Sequence, residues 1–193
     1  MMQQETICAI ATAQGGAIGV IRVSGPEAIS ITSQIFTPIS GKSLVERKPY
    51  TLTFGKIHSA EGEIIDEVLV SVFRAPHSYT GEDSTEISCH GSSYILQQVM
   101  RRLIECGCRT ALPGEYTQRA FLNGKMDLSQ AEAVADLIAS TSTATHRMAM
   151  NQMRGGFSQE LSILKDKLLH LTSLMELELD FSDHEELEFA DRT

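Results

Sequence analysis

The chain has 193 residues, of which 42% are hydrophobic and 21% charged, as in an ordinary globular protein with one sizeable core. Its formal net charge of −9 argues against sequence-independent nucleic-acid binding, which depends on clustered lysine and arginine. No apolar run approaches the roughly 20 residues that span a bilayer, and the first residues lack the basic and apolar pattern of a signal peptide. We therefore predict a cytoplasmic protein without membrane segments.

The first half of the sequence mixes strand and helix patterns. Runs rich in β-branched residues predict five strands, at residues 6–12, 17–24, 50–58, 64–73 and 84–90. Short turns join the first and second strands and the third and fourth, which indicates two hairpins. Helices are predicted after Gly25-Pro26-Glu27 and over residues 92–106. Residues 37–49 and 74–83 are predicted loops.

From Pro113 onward helical patterns replace strand patterns. Helices are predicted over residues 113–122, from Asp127 onward, and over residues 143–181 with a weak point at Gly155-Gly156. The last of these has an apolar stripe that needs a partner, formed by Leu161, Leu164, Leu168, Leu171 and Met175. We therefore predict an α+β protein with a mixed-sheet domain over residues 1–118 and an incomplete helical domain over residues 119–193.

Several candidate sites have a plain structural interpretation. Gly15, Gly16 and Gly19 fit a tight turn better than a nucleotide site, and no GxxxxGK[ST] phosphate loop occurs. The four cysteines are too sparse for a disulfide framework. Cys106-Gly107-Cys108 is interpreted as plain thiols rather than a metal or redox pair. His77 and His90 lack a ligand cluster, so no metal site is predicted.

Three charged residues are less easily explained. Arg22 lies in the middle of an apolar strand, where it is either a surface residue or an anion ligand. Glu86 lies inside a predicted core strand and needs a partner if it is buried. Lys125 follows Gly124 in a loop between two helices; such a lysine is usually solvated, although loops also carry binding sites.

Four blocks of the sequence resemble the MnmE (TrmE) family of tRNA modification GTPases. They are ATAQGGAIGVIRVSGPEA at residues 11–28, APHSYTGEDSTEISCHG at residues 75–91, PGEYTQRAFLNGKMDLSQAEAVADLI at residues 113–138 and the acidic segment near Asp180-Phe181. The chain departs from the family pattern at residues 13–15, where the family often has a longer loop. It also has His90-Gly91-Ser92 where the family commonly shows His-Gly-Gly.

The resemblance implies a fold and a ligand. The first domain would be similar to the tetrahydrofolate-binding part of the glycine-cleavage T-protein. The helical domain would be interrupted by a GTPase domain that this chain lacks. Members of the family bind 5-formyl- or 5,10-methylene-tetrahydrofolate, and their contact positions match Arg22, Glu86 and Lys125. An ionised Glu86 would accept two parallel N–H groups of the pterin edge, while the two cations would meet carbonyl or carboxylate oxygens.

The resemblance also implies a reaction and partners for the intact family member. The folate would supply a one-carbon unit to C5 of the wobble uridine at position 34 of certain tRNAs. GTP with Mg²⁺ and K⁺ would bind the missing domain, the flavoprotein MnmG (GidA) would assist, and N-terminal domains would pair as a homodimer. This chain by itself is not expected to be an enzyme. The alternatives are a stand-alone folate-dependent aminomethyltransferase and a non-catalytic dimerisation scaffold.

Overall fold

The computed structural model describes residues 5–13 and 15–190, with side chains described through Asp180. Gln14, the first residue of the predicted glycine turn, lies outside this part. The chain divides into two compact units, Met1–Met126 and Asp127–Thr193. The first unit contains, in chain order, β1 (Ile7–Ile10), β2 (Ile18–Ser24), α1 (Ala28–Ile35), β3 (Phe36–Pro38), β4 (Thr51–His58), β5 (Ile64–Phe73), β6 (Ser84–His90), α2 (Ser93–Glu105), β7 (Arg109–Thr110) and α3 (Glu115–Leu122).

The strands of the first unit form one seven-stranded mixed sheet. Their order is β3-β4-β5-β6-β2-β1-β7. Neighbouring strands are antiparallel except β1 and β7, which are parallel. Both predicted hairpins, β1–β2 and β4–β5, are confirmed. The α+β class predicted from the sequence is also confirmed, because helices and a largely antiparallel sheet share one core.

The two faces of the sheet differ in character because side chains alternate along each strand. Ile21, Val23 and Ile87 are fully buried and belong to a core cluster that also includes residues of α1 and α2. Gly19 allows this close packing, since a Cβ atom there would lie 2.6 Å from Leu96 Cδ2 of α2. The intervening residues, including Arg22 and Glu86, lie on the opposite, partly open face.

Two short strands were not predicted. β3 has three residues and β7 has two, which is too short for an alternating pattern to be visible in the sequence. β3 and a 3₁₀ turn at Leu44–Glu46 occupy the region predicted to be a loop. One consequence is that Glu86 lies on the sixth strand of the chain and not on the fifth.

The division between the units also differs from the predicted boundary at residues 118 and 119. α3 belongs to the first unit, and the division follows Met126. The physical reason is Arg119, which is only 5% exposed and forms ion pairs with Glu82 and Glu115 of the first unit. A helical pattern alone could not show that this helix completes the sheet domain.

The second unit contains α4 (Leu128–Ala139), α5 (Thr143–Met153) and α6 (Gly156–Ala190). Capping boxes begin α4, with Asp127 and Gln130, and α5, with Ser142 and Thr145. The predicted weak point is confirmed, because Gly155 at φ +80° separates α5 from α6. The apolar stripe of α6 remains 50–57% exposed in the described structure. No helix in the described part of the chain is long and apolar enough to cross a membrane.

Candidate functional site

Arg22 and Glu86 face each other across neighbouring strands on the open side of the sheet. They are register partners of β2 and β6. Arg22 Nε donates to Glu86 Oε1 at 2.9 Å, and Arg22 Nη2 lies 2.7 Å from the same oxygen. The side chains are 30% and 29% exposed, so the carboxylate is only partly buried, and Arg22 is its partner. Within the described residues, Glu86 Oε2 and Arg22 Nη1 have no hydrogen-bond partner. The pair therefore retains one acceptor atom and one donor group for a ligand.

Two tyrosine rings hold the guanidinium of Arg22. Its central carbon lies 5.3 Å from the ring centroid of Tyr79 and 5.6 Å from that of Tyr116, within cation–π range. The Tyr116 hydroxyl donates to the backbone carbonyl of Arg22 at 2.7 Å, and the Tyr79 hydroxyl shares a hydrogen bond with Thr117 Oγ1 at 2.9 Å. Burial raises the pKa of Tyr116 above its ordinary value, so this hydroxyl stays protonated as a donor. The loop after β5 and the helix α3 thus both fix Arg22.

Lys125 packs against the loop between β5 and β6, but it does not contact the Arg22–Glu86 pair directly. Its Nζ donates to the carbonyl of Pro76 at 3.0 Å, and the side chain is exposed. Its aliphatic part lies beside Gly81, where an added Cβ would be 3.3 Å from Lys125 Cγ. Pro76 and Gly81 flank Tyr79 in the loop that joins β5 to β6. The three residues predicted from the sequence are therefore related through this loop, with Lys125 at its outer side.

A buried network of ion pairs and hydrogen bonds connects the loop between β5 and β6 to α3 and to the end of β2. Arg119 Nη1 lies 3.1 Å from Glu82 Oε1, and Arg119 Nη2 lies 2.9 Å from Glu115 Oε1. Ser24 Oγ donates to Glu82 Oε2 at 2.7 Å, which ties the loop to the end of β2. Arg109 also pairs with Glu115, and its hydrogen bonds lower the pKa of that carboxyl to about 2. This network was not predicted from the sequence, although the i, i+4 spacing of Glu115 and Arg119 indicates one of its ion pairs.

A cavity of about 390 Å³ adjoins Arg22 on the side away from Glu86. Its walls include Arg22 and Tyr116, and the other side chains are small or apolar. Ala9 of β1 is the register partner of Arg22 and lines this cavity. The remaining wall comes from Ile10, Ala11 and the segment 111–114 that follows β7. An ionic pair and this cavity therefore share one side chain, Arg22.

The histidine and cysteine residues form no metal centre in the described part of the chain, where no group of three or more potential ligands occurs. His90 Nδ1 lies 2.7 Å from Oδ1 of the buried Asp66, which gives this histidine a structural partner. All four cysteines are free thiols, and burial raises the pKa of Cys89 to about 11. Cys8 and Cys108 are both buried free thiols.

Comparison with known proteins gives consistent matches along the chain. A family model described as GTP-binding protein TrmE N-terminus matches residues 6–125, and a model of the MnmE helical domain matches residues 128–193. The division between the two structural units, after Met126, falls between these two matches.

Curated relatives named tRNA modification GTPase MnmE are similar to the whole chain. One from Bacteroides thetaiotaomicron is 78% identical and one from Bacteroides fragilis is 77% identical, each over 193 residues that cover 100% of this chain and 41% of the relative. A third, from Phocaeicola vulgatus, is 69% identical over 224 residues that cover 100% of this chain and 45% of the relative. The chain therefore spans less than half the length of these relatives.

Proposed function

Because the chain belongs to the MnmE (TrmE) family of tRNA modification GTPases, we propose that its first unit binds a reduced folate for tRNA modification. The ligand is 5-formyl- or 5,10-methylene-tetrahydrofolate, and the binding residues are Arg22, Glu86 and Lys125. The observation that carries this proposal is the Arg22–Glu86 ion pair. The two side chains orient each other, and Glu86 Oε2 and Arg22 Nη1 remain available to hydrogen-bond a ligand within the described structure. When bound, the folate supplies a one-carbon unit for C5 of the wobble uridine of tRNA.

The chemistry of the pair suits a pterin ring. The pterin edge presents two parallel N–H donors, and a carboxylate is the side chain that accepts such a fork with the best geometry. Arg22 keeps Glu86 charged and oriented, while its own free N–H group can donate to a carbonyl oxygen of the ligand. The two tyrosine rings restrict Arg22, so little side-chain entropy is lost when the ligand binds.

Lys125 contributes from the edge of the site. Its ammonium group already lies at the loop carbonyl of Pro76, and it is exposed enough to exchange this contact for a ligand carboxylate. Reduced folates end in a glutamate whose carboxylates need such a cation. In this arrangement the ring end of the ligand lies at Glu86 and an acidic group is held near Lys125.

The open sheet face also suits a homodimer, which completes the proposal for this unit. Leu52, Phe54 and Leu69 lie on β4 and β5 and are 62%, 45% and 40% exposed. Ser71, which pairs with Leu52, also pairs with Glu86. Burial of this apolar patch by a second copy would place the interface beside the ligand. Light scattering should give twice the mass of one chain, and Phe54→Glu should reduce that mass to one chain.

The rest of the proposed function belongs to segments outside this chain. The family implies GTP with Mg²⁺ and K⁺, tRNA and the flavoprotein MnmG (GidA) as ligands and partners of the whole protein, which would act in the cytoplasm. No phosphate loop occurs in these 193 residues. This chain would accordingly provide folate binding and pairing, without GTP hydrolysis of its own.

Titration calorimetry with 5-formyltetrahydrofolate tests the folate proposal. Glu86→Gln removes the charge while keeping the shape, and we expect it to weaken binding about tenfold or more, since a charged hydrogen bond contributes ~1.5–3 kcal/mol. Glu67→Gln is the matched control, because Glu67 is an exposed glutamate of the neighbouring strand β5. Equal affinities of the two variants for the folate, or no binding by the unaltered chain, would contradict the folate proposal. A non-catalytic dimerisation scaffold would then describe this chain better.

A further inference from the structure

Most cations of the first unit have an acidic partner. Of its eleven lysine and arginine residues, seven form ion pairs. Within the described part of the chain, the four that form none are Lys42, Arg47, Lys48 and Lys125. Three of them lie in the segment between β3 and β4, whose one acidic residue is Glu46. The segment is therefore locally positive, although the chain carries a net charge of −9.

Contacts between two loops bring these cations to the same end of the sheet. Arg74, which follows β5, donates from Nη2 to the carbonyl of Val45 at 2.7 Å and so joins the β3–β4 segment to the loop between β5 and β6. Lys125 Nζ donates to the carbonyl of Pro76 in that loop at 3.0 Å. The unpaired cations therefore surround the junction of the two loops, at the end of the sheet where β4 begins and β5 ends.

An exposed aromatic ring lies within this positive surface. Tyr50 has φ +61°, a left-handed conformation that is unusual for a bulky side chain. Its backbone N–H donates to the carbonyl of Val72 at 2.8 Å, and its hydroxyl donates to the carbonyl of His77 at 2.8 Å. The ring makes an edge contact with Phe73, yet Tyr50 remains 64% exposed. The fold therefore holds a strained backbone in place and presents the ring to solvent, two residues after the exposed Lys48.

This surface lies near the Arg22–Glu86 pair. Tyr50 precedes β4 by one residue, and Leu52 of β4 pairs with Ser71, which pairs with Glu86. Neighbouring strands are about 4.8 Å apart, so Leu52 and Glu86 are about 10 Å apart across the sheet. A long ligand bound beside Tyr50 could therefore reach a second ligand held at Glu86.

We propose that the basic patch, formed by Lys42, Arg47, Lys48 and Tyr50, binds a single-stranded segment of RNA. The three cations contact phosphates, and one base stacks on the tyrosine ring. Positive charge alone would suit any polyanion, but an exposed aromatic ring among cations is typical of surfaces that bind single strands, because every base has a face that can stack. The inference rests on the proposed function, since the wobble uridine of tRNA must come close to the folate.

Fluorescence anisotropy with a labelled RNA hairpin that has a uridine in its unpaired loop tests the basic patch. We expect the unaltered chain to bind the hairpin with an affinity that falls as salt is added. Tyr50→Leu should weaken binding at least fivefold. Lys48→Gln should weaken binding and reduce the slope of log affinity against log salt by about 0.7–0.9, as expected for one lost phosphate contact.

Two matched substitutions serve as controls. Tyr94→Leu removes a tyrosine that is 68% exposed and follows β6, at the opposite end of the sheet. Lys165→Gln removes an exposed lysine of α6. Both should change RNA affinity less than twofold. Tyr50→Phe should also remain within twofold, because it keeps the ring; an equal loss in Tyr50→Phe and Tyr50→Leu would show distortion of the loop and overturn the stacking.

Two competing ligands define the kind of partner. A fully paired RNA duplex offers no unpaired base to stack, so Tyr50→Leu should leave its binding unchanged. Equal losses for the hairpin and the duplex would overturn single-strand recognition. A polyglutamate peptide of similar charge should compete poorly with the hairpin. If it competes as strongly, the patch is a site for acidic peptides and the RNA proposal is wrong.

Calorimetry with 5-formyltetrahydrofolate separates this inference from the folate proposal. Lys48→Gln and Tyr50→Leu should change folate affinity less than twofold, and Glu86→Gln should leave RNA affinity unchanged. If the unaltered chain binds folate but shows no salt-dependent binding of the hairpin, the basic patch is wrong and the folate site stands. If it binds the hairpin through Tyr50 and Lys48 but binds no folate, the folate proposal fails and the basic patch stands.

Discussion

Arg119 and Glu82 form an ion pair at 3.1 Å, and their side chains are only 7% and 8% exposed. The pair joins α3 to the loop that carries Tyr79, and Glu115 shares the same guanidinium. The Glu82 carboxylate therefore depends on a buried cation of α3, which makes the loop part of the folded core rather than a mobile connection.

Replacing this cation should destabilise the first unit strongly. We expect Arg119→Met to lower the free energy of unfolding by ~3–5 kcal/mol, because Glu82 would be left buried without a cation. Glu115 would keep its pairing with Arg109. Chemical denaturation measures the effect. Arg101→Met is the control, since Arg101 is 72% exposed and its pairing with Glu105 lies at the surface. A similar unfolding midpoint for both variants would contradict the structural role of Arg119.

Glu115 should make the stability of the protein sensitive to acid. Hydrogen bonds from Arg109 hold the pKa of Glu115 at about 2, compared with 4.5 for an ordinary glutamate. As the pH falls from about 4.5 toward 2, the unfolded chain takes up the proton first, so the free energy of unfolding decreases. In Glu115→Gln this part of the pH dependence should be absent, whereas Glu63→Gln, at an exposed turn residue, should retain it. Parallel acid titrations of unfolding distinguish the two results.

The aromatic ring of Tyr79 should restrict the motion of the Arg22 side chain, whereas the Tyr79 hydroxyl should contribute little to this restriction. In the ligand-free chain, Tyr79→Leu should speed the exchange of the Arg22 Nε proton, observed by NMR, while Tyr79→Phe should keep it slow. Removal of the ring in Tyr79→Leu should also weaken folate binding about two- to fivefold, as expected for an exposed cation–π contact of ~0.5–1 kcal/mol. Identical exchange rates in both variants would show that the ring does not hold Arg22.

Lys125 should contribute to ligand affinity without contributing to stability. Because its side chain is exposed and makes one contact to a loop carbonyl, we expect Lys125→Met to leave the unfolding midpoint nearly unchanged. Folate affinity should fall about two- to tenfold, corresponding to ~0.5–1.5 kcal/mol. Lys42→Met, at another exposed position in the first unit, is the control in the same calorimetric titration. An unchanged affinity for Lys125→Met would remove this residue from the site.

The local elements of this protein could be predicted from its amino-acid sequence. The strand patterns of β2, β4, β5 and β6 and the break at Gly155 were visible because they depend on neighbouring residues and on the period of the side chains. β3 and β7 could not be predicted, since strands of three and two residues exist only through their partners β4 and β1. The resemblance to a known family supplied Arg22, Glu86 and Lys125 as site residues.

The spatial relationship of these residues follows from contacts that form when the chain folds. The register of β2 against β6 places Arg22 opposite Glu86, whereas Lys125 reaches the loop at Pro76 and not the pair itself. The rings of Tyr79 and Tyr116 come from separate segments, and no sequence spacing indicates that they meet at one guanidinium. Side-chain periodicity is a local property of the chain, but register, burial and ion pairing depend on contacts between residues distant in sequence.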